Sequence, residues 1–432
     1  MAEVAYTDLP DTQKQQIAQT VKIVREYMTP TLDSFTLNKT RVVSGGQQGF
    51  QIPFFTTDYG QNSYLTPGAS GNSFVQPIAP QSQSMWVGQA FQGMALYTDG
   101  IFLDTMDTAA SLINEAQLRD LRIKNFMKHQ NYYSIGDNYG YGILAVTSTN
   151  TGGTFTGTTA AATTAGATKG AHRLINGVTY DVVDPTSLLV TGTMTPTANG
   201  TNSATVTCTT TGTVNTSGAF VVEQGAFYKV PRGLAYLINN NNRIFQALDT
   251  TNVKEFNSSV VDLNGSALTS ATVNTLKTRV QIRMNADTKE GFSRIGHLPP
   301  GQYNTLAIQG FGARQYQAAD GQNDTSYGYP EKYVDGDIMW IVDADMDEDR
   351  VYLRRASDYF RFELKSFGVE NRDGLKMRQA PGQNDVGAAA YYSQMDWFYS
   401  IGFDGDGSGG NYASAFIQRA QVLNSQVNAI AG

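Results

Sequence analysis

Between Val42 and Asn114 the chain has no lysine, arginine or glutamate, and its only charged residues are Asp58, Asp99, Asp104 and Asp107. A loop bathed in water ordinarily carries charge, whereas an uncharged surface is suited to being covered by a partner. The first half of this stretch, VVSGGQQGFQIPFFTTDYGQNSYLTPGASGNSFVQPIAP, has short β-like runs punctuated by glycine and proline, with Phe50, Ile52, Phe54 and Tyr64 spaced along it. Two readings compete: a long hairpin lying on another subunit, and a flexible linker. The spaced aromatics favour the hairpin.

The rest of the composition points the same way. Charged residues make up 16% of 432, against roughly 25% in ordinary soluble domains, and Gly, Thr, Asn, Gln and Ser fill the gap. A net charge of −7 excludes general affinity for nucleic acid, which needs a basic face. Cys208 is the single cysteine, so neither an internal disulfide nor a thiolate metal cage is possible. MAEVAYTDLPDTQKQQ shows no secretion signal, and no run of eighteen apolar residues predicts a membrane span. A core of substantial size, divided over two or three domains, fits the length and the 41% hydrophobic content.

Asp8 caps an expected helix entered through Pro10, with Ile17, Val21, Val24 and Met28 as its apolar stripe and Pro30 as its end. It is either an ordinary packed helix or an arm lying on a neighbour. AASLINEAQLRDLRIKNFMKHQ reads as a long helix with Leu112, Ile113, Ala116, Leu118, Leu121 and Phe126 on a broad apolar side. Asp104 and Asp107 before it, with Arg119, Arg122, Lys124 and Lys128 in its later turns, complement the helix dipole. The glycines that follow, Gly136, Gly140 and Gly142, form a structural turn rather than a phosphate cradle. A dinucleotide fingerprint runs strand, turn, helix, whereas here the helix comes first and GILAV follows as a strand.

From Thr147 to about Gly225 the composition shifts to Thr, Gly, Ala and Asn. The alternation in SATVTCTTT predicts a small all-β insertion, with low-complexity disorder as the alternative and Cys208 as a buried, inert thiol. SALTSATVNTLKTRVQIRM predicts a helix capped near Ser270 and Thr272. GDIMWIVDADMDEDRVYLRR predicts a hairpin around an acidic turn, DYFRFELKSFGV another strand, and MDWFYSIGFDG the last.

Catalytic signals are weak. Asp343, Asp345 and Asp347 alternate as in a calcium loop, but Glu348 stands where glycine is required and Arg354 where a bidentate glutamate is required. Asp404, Asp406 and Ser408 fit better, with Gly409 at the sixth position, yet Ala415 occupies the twelfth. Solvated turns are the default for both. His129, His172 and His297 are scattered outside any metal or nucleophile motif, and nothing selects a glycosidase pair of acids. No enzyme, cofactor or metal is expected.

In order, these parts resemble the major capsid proteins of tailed bacteriophages, the Hong Kong 97 phage fold. LRDLRIKNFMKHQNYYSIGDNYGYGILA is similar to the end of that family's spine helix and its glycine turn. GVTYDVVDP with its Thr/Val strands is similar to a β insertion, DMDEDRVYLRRASDYFRFEL to a peripheral hairpin, and MDWFYSIGFDGDGSGGNYASAFIQRA to the closing segment. Ile135-Gly136-Asp137-Asn138 replaces a denser glycine run, and the closing segment lacks Asn-Pro. The resemblance implies an α+β fold: an N-terminal arm (1–40), an extended loop (41–92), a peripheral domain with the spine helix (93–146) and the all-β insertion (147–226). An axial domain (227–330), peripheral strands (331–385) and a closing axial segment (386–432) complete it.

It further implies a virion shell protein, assembled in the host cytoplasm as homo-pentamers and hexamers around double-stranded DNA that it encloses without reading. Ile17, Val21, Val24 and Met28 in the arm, with Phe50, Phe54, Phe55 and Tyr59 in the loop, become expected inter-subunit contacts. Neutral loops suit such contacts because covering them strips few ions of water. A portal and a separate scaffolding protein are expected partners, with a decoration protein as a further one and no membrane. No lysine lies between Lys39 and Lys124, so the lysine–asparagine weld of some relatives is not expected. An encapsulin-like compartment, a tail or decoration protein, and a surface adhesin are the alternatives.

Overall fold

The structure, a computed structural model, describes residues 29–38, 49–55, 82–99, 109–136, 144–146, 154–158, 174–184, 186–197, 205–212, 214, 219–240, 244–250, 256–284, 294–306, 332–335, 338–347, 349–369, 378–379, 390–404 and 414–420. The expected N-terminal stripe of Ile17, Val21, Val24 and Met28 lies outside them, as do Tyr59, Gly140 and Gly142. Pro30 opens a short helix, Pro30–Asp33, where its missing N–H costs nothing, while the helix expected before it lies outside the described residues. β1 (Thr36–Asn38) follows.

The uncharged segment does form a hairpin at its base. β2 (Gly49–Phe55) pairs antiparallel with β3 (Ser82–Gly88) in unbroken register from Gly49–Gly88 to Phe55–Ser82. Its inward residues do not wait for a neighbour. Phe50 and Ile52 are buried in the chain's own core, with the Phe50 ring 4.9 Å from that of Phe362. Phe50 is therefore an internal anchor rather than an inter-subunit one, because the β2 face that carries it lies against Phe362.

β4 (Ala90–Asp99) leads into the long helix, Ala109–Ile135, whose 27 residues span about 40 Å. Through Met127 its described part is one-sided: Ile123 and Met127 are buried while Arg122, Asn125 and Lys128 are exposed. From Gln130 to Gly136 every residue is buried. The helix has stopped lying on a surface and entered the interior.

The described residues of the Thr-rich region form a closed six-stranded barrel. Its strands are β5 (Leu144–Val146), β6 (Thr154–Thr158), β7 (Tyr180–Val183), β8 (Val190–Pro196), β9 (Thr205–Gly212) and β10 (Phe220–Glu223), paired in the order β10-β5-β6-β9-β8-β7. Cys208 lies in β9 as expected, and burial pushes its thiol up to about 11. The barrel's inward residues Tyr180, Val182, Met194 and Val221 belong to the same core as the long helix.

Two further sheets complete the chain. One takes β1, β4, β18 (Tyr359–Val369), β19 (Arg378–Gln379) and β20 (Ala390–Phe403), with β4 paired along β20 from Ala390–Asp99 to Tyr399–Ala90. The other has six strands in the order β13-β21-β17-β14-β16-β15: β13 (Ser259–Asp262), β14 (Arg294–Leu298), β15 (Lys332–Asp335), β16 (Ile338–Val342), β17 (Val351–Arg355) and β21 (Ala415–Gln418). Helix Ser270–Met284 packs on it through Val273, Leu276 and Val280, forming a separate core with Trp340, Val351, Leu353 and Ile417. That helix is capped one residue earlier than expected, by the Thr269 hydroxyl accepting from the Thr272 amide at 3.1 Å.

This topology corrects three expectations. β16 and β17 are not a hairpin, because β14 lies between them, parallel to β16 and antiparallel to β17. Residues 331–385 are not one set of strands, since β15 to β17 join the six-stranded sheet while β18 and β19 join the five-stranded one. Residues 386–432 divide likewise, β20 to one sheet and β21 to the other, so MDWFYSIGFDG is not the last strand. β14, with the sequence RIGHL, is buried at every position, and Gly296 in it lies under the Trp340 ring, where a Cβ would come within 2.2 Å of that ring.

Candidate functional site: a polar hub at the end of the long helix

A helix buried all round must satisfy its polar side chains internally. HQNYYS, residues 129–134, does so by sending its polar groups to three parts of the chain, apart from the Ser134 hydroxyl, which donates to the helix's own Asn131 carbonyl. Asn131 is the centre. Its Oδ1 accepts from the Leu32 amide at 3.2 Å, and its Nδ2 donates to Asp343 at 2.9 Å and Asp345 at 3.3 Å. The Thr31 hydroxyl donates to the same Asp343 oxygen at 2.5 Å. One asparagine thereby joins the N-terminal segment, the long helix and the connection between β16 and β17.

Gln130 turns to the five-stranded sheet: its amide donates to Gln92 Oε1 at 3.0 Å, and Tyr399 donates to its Oε1 at 3.0 Å. His129 and Tyr133 turn to the barrel, where both hold the Glu223 carboxylate, His129 Nδ1 at 2.8 Å and Tyr133 through its hydroxyl. The helix exits at Gly136, whose amide donates to the Tyr133 carbonyl at 3.2 Å. Against that exit rests Gly233. A Cβ there would lie 2.5–2.6 Å from the carbonyl oxygens of Tyr133, Ser134 and Gly136, so only glycine allows this approach.

The acidic turn is the opposite of the solvated loop expected from DADMDEDR. Asp343, Asp345 and Asp347 are all buried. Burial and the neighbouring Asp345 charge push the Asp343 carboxyl up, against the bonds from Thr31, Asn131 and the Asp345 amide. Among the described residues no group of three metal-ligating side chains is placed to hold an ion. Asp404 is buried beside Asn38, while the remainder of the second candidate calcium loop up to Ala413 lies outside the described residues.

A second contact ties the N-terminal segment to the six-stranded sheet. Arg354 on β17 is fully buried and stacked on Phe35, 4.4 Å from the ring centre. Its guanidinium donates to the Ser34 carbonyl and hydroxyl, each at 2.8 Å, and to His297 on β14 at 3.1 Å. Burial draws Arg354 down to about 10, and burial with the Arg354 charge holds His297 well below the ordinary imidazole range. His297 is therefore a neutral acceptor.

The hairpin base is fixed separately. Gln246 and Ala247 both adopt left-handed backbone angles (φ 45° and 70°) in the turn between β11 (Ile244–Phe245) and β12 (Leu248–Asp249). Such angles cost a side-chain-bearing residue about 1 kcal/mol each. The offset is visible: the Gln246 carbonyl accepts from Trp86 of β3 at 2.8 Å, and its side chain closes two bonds to the Phe403 backbone.

Of the residues singled out from sequence, Gly136 occupies the helix exit and Phe50 the core. Phe54 and Phe55 lie in β2 opposite Gln83 and Ser82. The hub itself was missed. Its signal was present as polar and aromatic residues occupying every face of the last helical turns.

No family model matches the chain, and no curated protein matches it. Among solved structures it is similar to the cyanophage A-1(L) capsid asymmetric unit, at TM-score 0.44 and 10% identity over 91% of this chain and 93% of that one. Similar values hold for the capsid of a native GTA particle (TM-score 0.43, 9% identity, 91% and 90% covered). The holo-SrpI encapsulin complex from Synechococcus elongatus PCC 7942 gives TM-score 0.41 and 11% identity over 92% and 90%. Each score lies below one half, and the functional reading rests on this chain's own residues.

Proposed function

We propose that this chain is the major capsid subunit of a tailed-phage type of shell, a structural protein that assembles as pentamers and hexamers around packaged double-stranded DNA. The observation that carries this reading is the arrangement of three parts. An uncharged two-stranded arm leaves a five-stranded sheet crossed by the long helix, while a second sheet with its own helix and core stands at the end of that helix. Together with the resemblance in LRDLRIKNFMKHQNYYSIGDNYGYGILA, this supports a peripheral body, an axial domain and an extended loop.

In this reading the hub fixes the angle between the parts of a brick, so that every copy presents the same edges. The arm from Phe54 outward supplies contacts through Phe54, Phe55 and Tyr59, and the N-terminal residues Ile17, Val21, Val24 and Met28 supply others. Individually modest contacts let wrongly placed copies dissociate, while many per subunit close the shell. Scaffold and portal are separate chains, and the mature shell is non-covalent, since the loop has no lysine to weld.

Negative-stain microscopy of the purified chain, with and without scaffold, tests the proposal. Ring-shaped pentamers and hexamers alone and closed shells with scaffold are expected, with one band in denaturing gels. A cargo-filled shell made without scaffold assigns an encapsulin-like compartment, and tubes or small rings assign a tail or decoration role. A chain that stays monomeric at every concentration overturns the proposal.

A further inference from the structure

A cavity of about 340 Å³ lies where three connections meet. Gly88 to Phe91 run from the hairpin into the five-stranded sheet, Tyr228 to Arg232 run from the barrel toward Gly233, and Ser400 projects from β20. Part of its polar lining is unsatisfied. Both amide atoms of Gln89 and Nη1 of Arg232 are shielded from solvent and make no hydrogen bond. Arg232 is held in place over the Tyr236 ring at 4.8 Å, and the Lys229 carbonyl is fixed by Gln92 at 3.3 Å. Lys229 adds a second positive charge, and no acid is among the described residues that line the cavity.

Shielded groups of this kind cost free energy until a partner arrives. The lining specifies that partner's chemistry. An unpaired guanidinium N–H and an unpaired amide N–H, with Lys229 in the same lining, are donors that suit a carboxylate, while Gln89 Oε1 is left to accept from a backbone amide beside it. The rim specifies its size. Phe91 and Tyr228 are 45% and 50% exposed, and Tyr228 is held there at a left-handed φ of 59°. Exposed aromatics flanking a cationic cavity match a protein surface bearing an acidic side chain rather than a free acid.

We propose that this cavity receives an aspartate or glutamate side chain from a second copy of the chain. The chain is the complementary surface: 38 acidic against 31 basic residues leave each copy with a net charge of −7. The inference rests on the shell reading for its occupant. It adds a defined socket at the base of the arm, where barrel, arm and sheet are all within reach of one neighbour.

The test is oligomer formation by the full chain, read by mass photometry across a concentration series, with circular dichroism melts to confirm folding. Arg232→Gln is expected to melt close to the parent and to need about tenfold more protein to associate. Arg232→Lys recovers part of the loss. If Arg232→Gln fails to fold, Lys229→Glu takes its place, since Lys229 is exposed and a reversed charge at the mouth repels the incoming acid; about tenfold weaker association is again expected. Folded variants that associate like the parent overturn the socket and leave the shell reading intact. A parent chain that never associates overturns both. Free glutarate that binds the cavity without weakening association overturns the second copy as the occupant.

Discussion

The barrel and the six-stranded sheet are attached to the long helix by opposite means. The barrel is a closed sheet inserted in one stretch of chain, the form expected of an independent module, yet its inward residues Tyr180, Val182, Met194 and Val221 share the main core. The six-stranded sheet is open and gathered from segments far apart in sequence, yet it has a core of its own under helix Ser270–Met284. It meets the N-terminal segment and the hub through Asp343, Arg354 and His297, with Tyr352 and Phe416 reaching the main core from its other face. Closure of a sheet therefore says little about autonomy. What matters is whether the joint is apolar and diffuse, or polar and made at a few defined angles.

The largest effect should come from the polar joint. Asn131→Ala removes the acceptor for Leu32 and a donor to two buried carboxylates, a loss of about 3 kcal/mol in denaturant unfolding. Hydrogen exchange should rise together in residues 29–38 and 343–347 while the barrel strands keep their protection. Equal loss in the barrel would abolish the distinction.

Val182→Ala probes the apolar joint. Val182 is fully buried, and deleting its two methyl groups should cost about 2 kcal/mol. Because the core is shared, protection should fall in the barrel and in the last turns of the long helix alike. Loss confined to the barrel would restore it as an independent module.

The clamp of His129 and Glu223 should show a smaller, pH-dependent effect. Burial lowers His129, but the bond and charge of Glu223, with a smaller contribution from Asp345, outweigh it and Lys128, and the imidazole ends above its ordinary 6.5. Its contribution is complete below 6.5 and is lost as pH rises through the raised value. Burial raises Glu223, but the His129 bond and charge and the Tyr133 bond outweigh it, so its contribution holds above 4.5 and fails as pH falls through the lowered value. Protection at β10, exchange divided by its intrinsic rate at each pH, should be greatest between about pH 4.5 and 6.5 and fall toward alkaline pH, with His129→Gln flattening the alkaline side. The imidazole is partly exposed, so screening keeps the effect modest.

Least of all should come from Leu189→Ser. Leu189 is 63% exposed at the β7–β8 turn and takes no part in either joint. A change within about 0.5 kcal/mol is expected, and a larger one would show that the barrel's outer turns carry stability.

Much of this architecture was legible in local pattern. The long helix, the arm, the Thr-rich strands, β18 and β20 all follow from periodicity and turn residues. The rest depended on distance along the chain. RIGHL has an arginine, a glycine and a histidine among five residues, so it lacks the apolar alternation of a strand. It is one because Trp340 and Tyr352 flank it from segments more than forty positions away. DADMDEDR reads as a wet turn because acids ordinarily seek water, and partners from distant segments, Thr31 and Asn131 among them, make its burial tolerable. Phe50 was assigned to a neighbour because nothing nearby in sequence announces Phe362.

β21 lies between β13 and β17, inside the six-stranded sheet, although Ala415–Gln418 follow every other strand among the described residues. During translation, β17 must present an open flank and β13 must remain unattached until those residues leave the ribosome. A nascent subunit thus lacks a finished sheet while its arm and long helix are already outside. Under the proposed shell reading, the order of synthesis would act as a timer, delaying a docking-ready brick until β21 is made and sparing half-made chains from joining a growing wall.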